Sequence, residues 1–173
     1  MACLQSAQYV KFASVPSLAL SRTQLLRGRT SAPLRPPWAI SENLFIERCT
    51  RCNQCVDGCD LKLLKKGQGG FPEVDFSLGG CTFCEQCIAS CDTDVLSQDV
   101  AQPWQTSASI GTSCLSNANI ECRNCGDECA SGAINFTLTP RRAAVPTLDS
   151  TLCNGCGACV ANCPVAAIEV IHL

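Results

Sequence analysis

Alternating apolar and polar residues mark several short strands along the chain. The runs 72–78 (PEVDFSL) and 133–139 (AINFTLT) alternate with a period of two. This period is typical of a strand with one buried face. Residues 104–110, 145–148 and 167–171 are further candidate strands. The pattern therefore predicts short strands separated by irregular segments.

Helical patterns are few and short. Leu18, Leu25 and Leu26 would share one face of a helix over residues 17–27, and residues 61–66 (LKLLKK) favour a single helical turn. We also expect small helices after the third cysteine of each cysteine group described below. No apolar run approaches the roughly 18 residues that a membrane span needs. We therefore expect no membrane-spanning segment.

The composition is short of ordinary core residues and rich in cysteine. The 173 residues include 17 cysteines, against 5% aromatic residues, one Met and one His. Small domains with so little apolar material usually need covalent or metal cross-links. We expect the cysteines to supply them.

Sixteen of these cysteines fall into four groups. Three groups have the spacing CxxCxxCxxxC, which is the bacterial ferredoxin signature for [4Fe-4S] clusters. The third group is irregular, because its leading cysteine is displaced upstream to Cys114, with seven residues between it and Cys122. The groups are Cys49, Cys52, Cys55 and Cys59; Cys81, Cys84, Cys87 and Cys91; Cys114, Cys122, Cys125 and Cys129; and Cys153, Cys156, Cys159 and Cys163.

In two-cluster ferredoxins the fourth cysteine of one group binds the cluster of the other group. This crossed rule predicts that Cys91 and Cys59 are exchanged between the first two groups, and Cys163 and Cys129 between the last two. Ligation within each group remains an alternative. We expect three or four clusters and favour four.

Two departures from the signature affect this prediction. Asp60 and Asp92 stand where the fourth group has Pro164, which puts the local geometry there in doubt but not the ligation. In the third group Cys114 is expected to return to the cluster through its loop, since longer loops add little closure entropy. A three-cysteine site with a labile iron corner, or no cluster, are the alternatives. We hypothesise that this group holds its cluster least firmly.

Zinc and disulfides explain the pattern less well. Zinc sites have no use for the third sulfur of CxxCxxC, and the cysteine count is odd. The N-terminus lacks the continuous apolar core of a secretory signal, so we expect a reduced, cytoplasmic protein. Cys3 would be a spare thiol.

The N-terminal residues 1–41 contain five basic residues and no acidic one, a formal charge of +5 against −2 for the whole chain. They predict a basic, flexible arm with a proline-rich connector; a transit peptide is the other interpretation. Nucleic-acid binding is not expected, because the basic residues lack interleaved aromatics. Trp38 is expected to pack on the first module.

Beyond the arm we predict an α+β fold of two tandem bacterial-ferredoxin-like modules, 42–100 and 101–173.

The chain resembles the NapF-type ferredoxins of bacterial periplasmic nitrate reductase systems. The resemblance rests on LRPPW, CTRCNQCVDGC, GGFPEVDF, CTFCEQCIASC, ECRNCGDEC and LCNGCGACVANCP, in this order. It implies a cytoplasmic [4Fe-4S] protein that binds the precursor of the nitrate reductase catalytic subunit before export. It also implies assistance with assembly of that subunit's iron–sulfur centre.

Two other functions stay open. The protein could be an electron-transfer ferredoxin for a respiratory or other redox enzyme, or a binding protein with purely structural clusters. We find no candidate acid, base or nucleophile, so an enzyme is not expected. Four clusters of charge about −2 each, with their thiolates, would bring the chain to about −10 and favour a basic partner surface.

Overall fold

The computed structural model describes residues 33–173, which form one compact unit, Pro33–Leu173. Short helices and strands alternate, so the fold class is α+β as predicted. The helices are α1 (Glu42–Arg48), α2 (Gln54–Asp57), α3 (Gln86–Ala89), α4 (Asn124–Asp127) and α5 (Ala158–Ala161). The strands are β1 (Leu64–Lys66), β2 (Pro72–Val74), β3 (Thr106–Ile110), β4 (Ile134–Thr137), β5 (Val145–Leu148) and β6 (Ile168–His172). Three 3₁₀ turns cover Gln68–Gly70, Phe76–Leu78 and Leu115–Ala118.

The predictions for the N-terminal helix, most of the basic arm and Cys3 lie outside the described residues. The module boundary near residue 100 stays a prediction. Within the described part of the chain, no helix is long and apolar enough to cross a membrane.

The strands form three antiparallel pairs. In β1–β2, Leu64 lies opposite Val74, and in β4–β5, Ile134 lies opposite Leu148. The third pair joins β3 to the C-terminal strand β6, with Ile110 opposite Ile168. The strands predicted over 104–110, 133–139, 145–148 and 167–171 are therefore confirmed, with slightly shifted ends.

Two local predictions are wrong. The predicted helical turn over 61–66 ends as β1, because Leu64 is buried and pairs with β2. The predicted strand 72–78 stops at Val74. There the Asp75 carboxylate accepts the Ser77 N–H at 3.0 Å and starts a 3₁₀ turn, which competes with the strand.

Two small apolar cores lie beneath the cysteine loops. The first contains Phe45, Leu64 and Val95, with Phe45 fully buried, and the second contains Ala108, Ile134 and Ile168. Each core also contains two cysteines, which are named in the next section. Neither core approaches the size of an ordinary domain core, so sulfur ligands form part of the interior.

The segment 34–38 joins distant parts of this unit. The Val74 N–H donates to the Leu34 carbonyl at 2.8 Å, and the Trp38 N–H donates to the Pro103 carbonyl at 2.8 Å. The Trp104 indole N–H donates to the Arg35 carbonyl at 2.9 Å. Trp38 is 9% exposed and belongs to the first core, so the prediction that it packs there is confirmed.

Candidate metal centres

The third cysteine of every group occupies the same local structure. Each one is the second residue of a four-residue helix, α2, α3, α4 or α5. All four are 8% exposed: Cys55, Cys87, Cys125 and Cys159. The sequence predicted that each helix would follow the third cysteine. The structure shows instead that each helix contains it. This repeated burial points four thiols into the interior.

The first two groups exchange their fourth cysteines. One pocket is lined by the first site, which we define as Cys49, Cys52, Cys55 and Cys91. A second pocket is lined by the second site, Cys59, Cys81, Cys84 and Cys87. The structure thus places Cys91 and Cys59 as the crossed rule predicts.

The last two groups show the same exchange. A pocket is lined by the third site, Cys114, Cys122, Cys125 and Cys163. In the fourth site the charges of Cys156, Cys153 and Cys129 act on the Cys159 thiol. Cys114 therefore lies where the looped-back ligand was expected. That these sixteen sulfurs bind iron stays a prediction of the sequence.

The cysteine sulfurs surround cavities instead of converging on single points. Within residues 33–173, no three Cys, His, Asp or Glu side chains are arranged to hold one metal ion. The sixteen cysteines of this part of the chain are all unpaired thiols. Four thiols that line one pocket fit an inorganic cube, which carries an iron at each of four corners. His172 is exposed and lies at the end of β6, away from these roles.

The electrostatics of the buried thiols also fit the binding of a positively charged metal centre. Burial, followed by repulsion from the neighbouring thiolates, raises the pKa of Cys55 to about 11 and that of Cys159 to about 12. The same causes raise the pKa of Cys87 to about 12. Four such thiolates are stable together only beside a positive charge, and a bound metal centre deprotonates its thiol ligands by supplying one. The residues present therefore fit [4Fe-4S] clusters.

The backbone around the second cysteine is also repeated in three groups. The two residues that flank this cysteine have left-handed backbone angles, with φ between +56° and +78°. Successive backbone N–H groups in such turns form an anion-binding concavity that is known at iron–sulfur sites. The pairs are Arg51 and Asn53, Phe83 and Glu85, and Gly155 and Gly157.

The third group lacks this backbone arrangement. Neither Glu121 nor Arg123, which flank Cys122, has a positive φ, and the φ of Arg123 is −130°. Instead, the Arg123 guanidinium donates to the Glu121 carboxylate at 2.8 Å across the cysteine. The N–H concavity that the other three groups form around the second cysteine is therefore missing at Cys122. The irregular spacing of the sequence thus has a structural counterpart.

The missing proline after Cys59 has little local effect. The turn after Cys163 is closed by the Ala166 N–H, which donates to the Cys163 carbonyl at 3.1 Å. The Lys62 N–H makes the same bond to the Cys59 carbonyl at 3.0 Å, although Asp60 replaces the proline there. Lys62 and Ala166 both have positive φ. The doubt about the geometry at Asp60 is therefore resolved in favour of an unchanged turn.

Sequence reasoning missed the apolar wall of the second site. Trp38, Leu63 and Trp104 line its cavity, and the Trp104 ring stands edge-on to Phe83 at 5.6 Å between centroids. Trp104 lies in a spacer that carries no cysteine, so no local pattern indicated its contact with a cysteine site.

Comparison with known proteins agrees with this geometry. Residues 120–167 match the family model of the 4Fe-4S dicluster domain. The ferredoxin-type protein NapF of Haemophilus influenzae (strain ATCC 51907 / DSM 11121 / KW20 / Rd) is 44% identical over 167 residues, covering 89% of this chain and 95% of the relative. NapF of Escherichia coli (strain K12) is 41% identical over 156 residues, covering 88% and 95%. The methylamine utilization ferredoxin-type protein MauM of Methylorubrum extorquens (strain ATCC 14718 / DSM 1338 / JCM 2805 / NCIMB 9133 / AM1) is 32% identical over 186 residues, covering 94% and 84%.

Four thiol-lined sites, together with the dicluster match, define a ferredoxin-type iron–sulfur protein of the 4Fe-4S class. The similarity to the NapF proteins extends over nearly the whole chain. The chain belongs to the NapF family of ferredoxin-type proteins, and the resemblance found in the sequence is confirmed.

The third site gives a direct test of the missing backbone turns. During mild anaerobic chelation with ferrozine, about one quarter of the iron should leave in a fast phase, because one site in four lacks the N–H concavity. Replacement of Cys122→Ser should abolish the fast phase and leave the slow one. The matched variant Cys52→Ser, at the corresponding position of the first site, should keep the fast phase. Iron loss at one common rate from the wild-type protein would contradict the hypothesis.

Proposed function

We propose that the protein binds four [4Fe-4S] clusters, one in each crossed site, and acts in the cytoplasm on the precursor of the periplasmic nitrate reductase catalytic subunit. Its task would be to help assemble that subunit's iron–sulfur centre before export. The observation that carries this proposal is membership of the NapF family over nearly the whole chain. No enzymatic role for the chain's own side chains is part of the proposal.

The chemistry of the sites supports a donor role. When bound, each cluster supplies a one-electron centre and a source of iron and sulfide. The chain's own contribution is to hold sulfur ligands around the cavities and to direct backbone N–H groups at them, as the Phe83 N–H does towards the Cys81 sulfur at 3.4 Å. The third site lacks the paired left-handed turns that flank the second cysteine in the other three groups, although the Ala167 N–H donates to its Cys163 sulfur at 3.2 Å. On the missing turns we assign this site the transferable cluster.

Charge supports association with a basic surface. With four clusters in place the chain would carry about −10, because each cluster and its four thiolates add about −2. Exposed acids such as Asp57, Asp60 and Glu128 lie within two residues of cysteines at these sites. Docking should therefore be salt-sensitive.

The client can be tested by anaerobic co-purification. We expect the iron-loaded protein to retain the catalytic-subunit precursor, and to release it as salt is raised, while the mature exported form is not retained. Binding of the mature enzyme alone would contradict the maturation proposal. It would favour the second function, electron transfer to a redox enzyme.

Transfer of a cluster separates the two functions more sharply. The protein is loaded with ⁵⁷Fe and mixed with precursor whose own iron–sulfur centre has been removed. We expect Mössbauer spectra of the re-isolated precursor to show ⁵⁷Fe in a [4Fe-4S] centre. The Cys122→Ser variant should bind the precursor but transfer little label, whereas Cys52→Ser should transfer normally. A precursor that stays free of ⁵⁷Fe in the presence of fully loaded wild-type protein would contradict cluster donation.

A further inference from the structure

A direct backbone hydrogen bond connects two different cysteine sites. The Cys81 N–H donates to the Cys156 carbonyl at 2.8 Å. Cys81 belongs to the second site and Cys156 to the fourth, and the charge of Cys156 acts on the Cys81 thiol. The two ligand residues are therefore in contact although they are 75 positions apart in the chain.

Close packing of small residues makes this contact possible. A Cβ atom placed on Gly80 would lie 2.6 Å from the Cβ of Ala158, so the two loop backbones touch without side chains between them. Gly157 packs against the Phe76 ring in the same way: a Cβ atom placed on Gly157 would lie 2.2 Å from the nearest ring carbon. The Phe76 ring in turn stands edge-on to Trp104 at 5.8 Å. The contact is thus closely packed.

Shared cores place the remaining sites on either side of this contact. Cys55 of the first site and Cys87 of the second lie in one apolar core, and the charge of Cys55 acts on Cys87. Cys125 of the third site and Cys159 of the fourth lie in the other core. The spatial order of the sites is therefore first, second, fourth, third.

We propose that the Cys81–Cys156 contact is an electronic junction that joins the four clusters into one linear relay, with the first and third sites at its ends. This inference rests on the proposed occupancy of all four sites. A continuous path runs from the Cys81 sulfur through its Cα and N–H to the carbonyl, Cα and sulfur of Cys156. Each transfer moves one electron from a reduced cluster, which becomes oxidised, to an oxidised neighbour, which becomes reduced. No proton or other reagent is consumed.

The relay would connect the first site to the third site, which holds the cluster proposed for donation. An electron that enters at the first site can reach the third site, which we have assigned the transferable cluster, only by crossing the junction. Without the junction the chain would contain two separate pairs of clusters. The two arrangements differ in which clusters interact magnetically when reduced.

The test deletes end sites and asks which clusters still interact. Substitutions Cys49→Ala and Cys52→Ala remove the first site, and Cys114→Ala and Cys122→Ala remove the third. The buried third cysteines are left in place to preserve packing. The chain with all four substitutions, reduced anaerobically with dithionite, should hold about eight irons. Its EPR spectrum should be broadened by interaction between the second and fourth clusters. Two independent, unbroadened signals from a chain with this iron content would overturn the junction.

Chains that lack one end site give the same answer with less disturbance. When only the third site is deleted, the fourth cluster should still show a broadened, fast-relaxing signal, because the second cluster remains its neighbour. When only the first site is deleted, the second cluster should show a broadened, fast-relaxing signal, because the fourth cluster remains its neighbour. An isolated signal of one spin in either chain would overturn the proposal. The outcome does not depend on any client, so failure of the maturation function and failure of the junction are distinguishable.

Discussion

Complete removal of iron from the reduced, anaerobic protein is expected to unfold residues 33–173. The two apolar cores are small, and each relies on two cysteines that are 8% exposed. Three of the sites are pockets lined by four cysteines each, so removal of a cluster leaves the four thiols of a site without a common ligand. Structural metal sites in small domains contribute on the order of 10 kcal/mol to folding, more than the entire stability of many domains. The clusters should therefore decide whether this fold forms.

The measurement follows near-ultraviolet circular dichroism and hydrogen exchange as a chelator removes the iron. Tertiary signals should be lost together with the visible absorbance of the clusters. Addition of ferrous iron, sulfide and thiol under anaerobic conditions should restore both signals. A colourless, iron-poor protein that keeps protected amides in β3 and β6 would show that the cores suffice without clusters.

Replacement of Gly157→Ala is expected to cause a large loss of stability while it leaves every cysteine in place. Gly157 has φ +78°, where a side chain costs about 1–2 kcal/mol. The added Cβ would also lie 2.2 Å from the Phe76 ring, and overpacking of this kind costs about 1–3 kcal/mol. The combined loss should be about 3 kcal/mol, or roughly 10 °C in the midpoint of thermal cluster loss.

Gly132→Ala is the matched control. Gly132 has a similar φ of +66°, but no atom lies within 4 Å of its added Cβ. This variant should lose only the backbone contribution, about 1–2 kcal/mol. The difference between the two midpoints then measures the packing between the fourth-site loop and Phe76. Equal midpoints would mean that Phe76 moves aside freely and that the junction is not firmly packed.

Local sequence patterns predicted much of this protein because its chemistry is local. The spacing CxxCxxC brings three sulfurs within one turn of chain, so the ligand groups and the dicluster class could be inferred from residue order alone. The strand β4 could be predicted too, since its alternation places buried Ile134 and half-buried Phe136 on one face. Predictions failed where a contact from elsewhere prevailed. Leu64 joins a strand because Val74 is available to pair with it, and residues 61–66 contain no sign of that partner.

At the third site the sequence indicated where the weakness lies but not its structural cause. Its irregular spacing indicated a weaker site, but only the backbone angles around Cys122 show what is missing. The flanking residues Glu121 and Arg123 pair with each other across the cysteine, and a pair of charged residues two positions apart is too common to predict this. The physical basis of the weakness is therefore structural, while its location could be found in the sequence.

The sequence by itself determined that this is an α+β iron–sulfur protein with four groups of cysteine ligands. It could do so because the spacing of the thiols and the alternation of the strands are patterns within a few consecutive residues. Only the tertiary structure decided how the sites are ordered in space. The contact of Cys81 with Cys156 depends on two loops packing through Gly80 and Ala158, and close approach between distant small residues leaves no periodic trace along the chain.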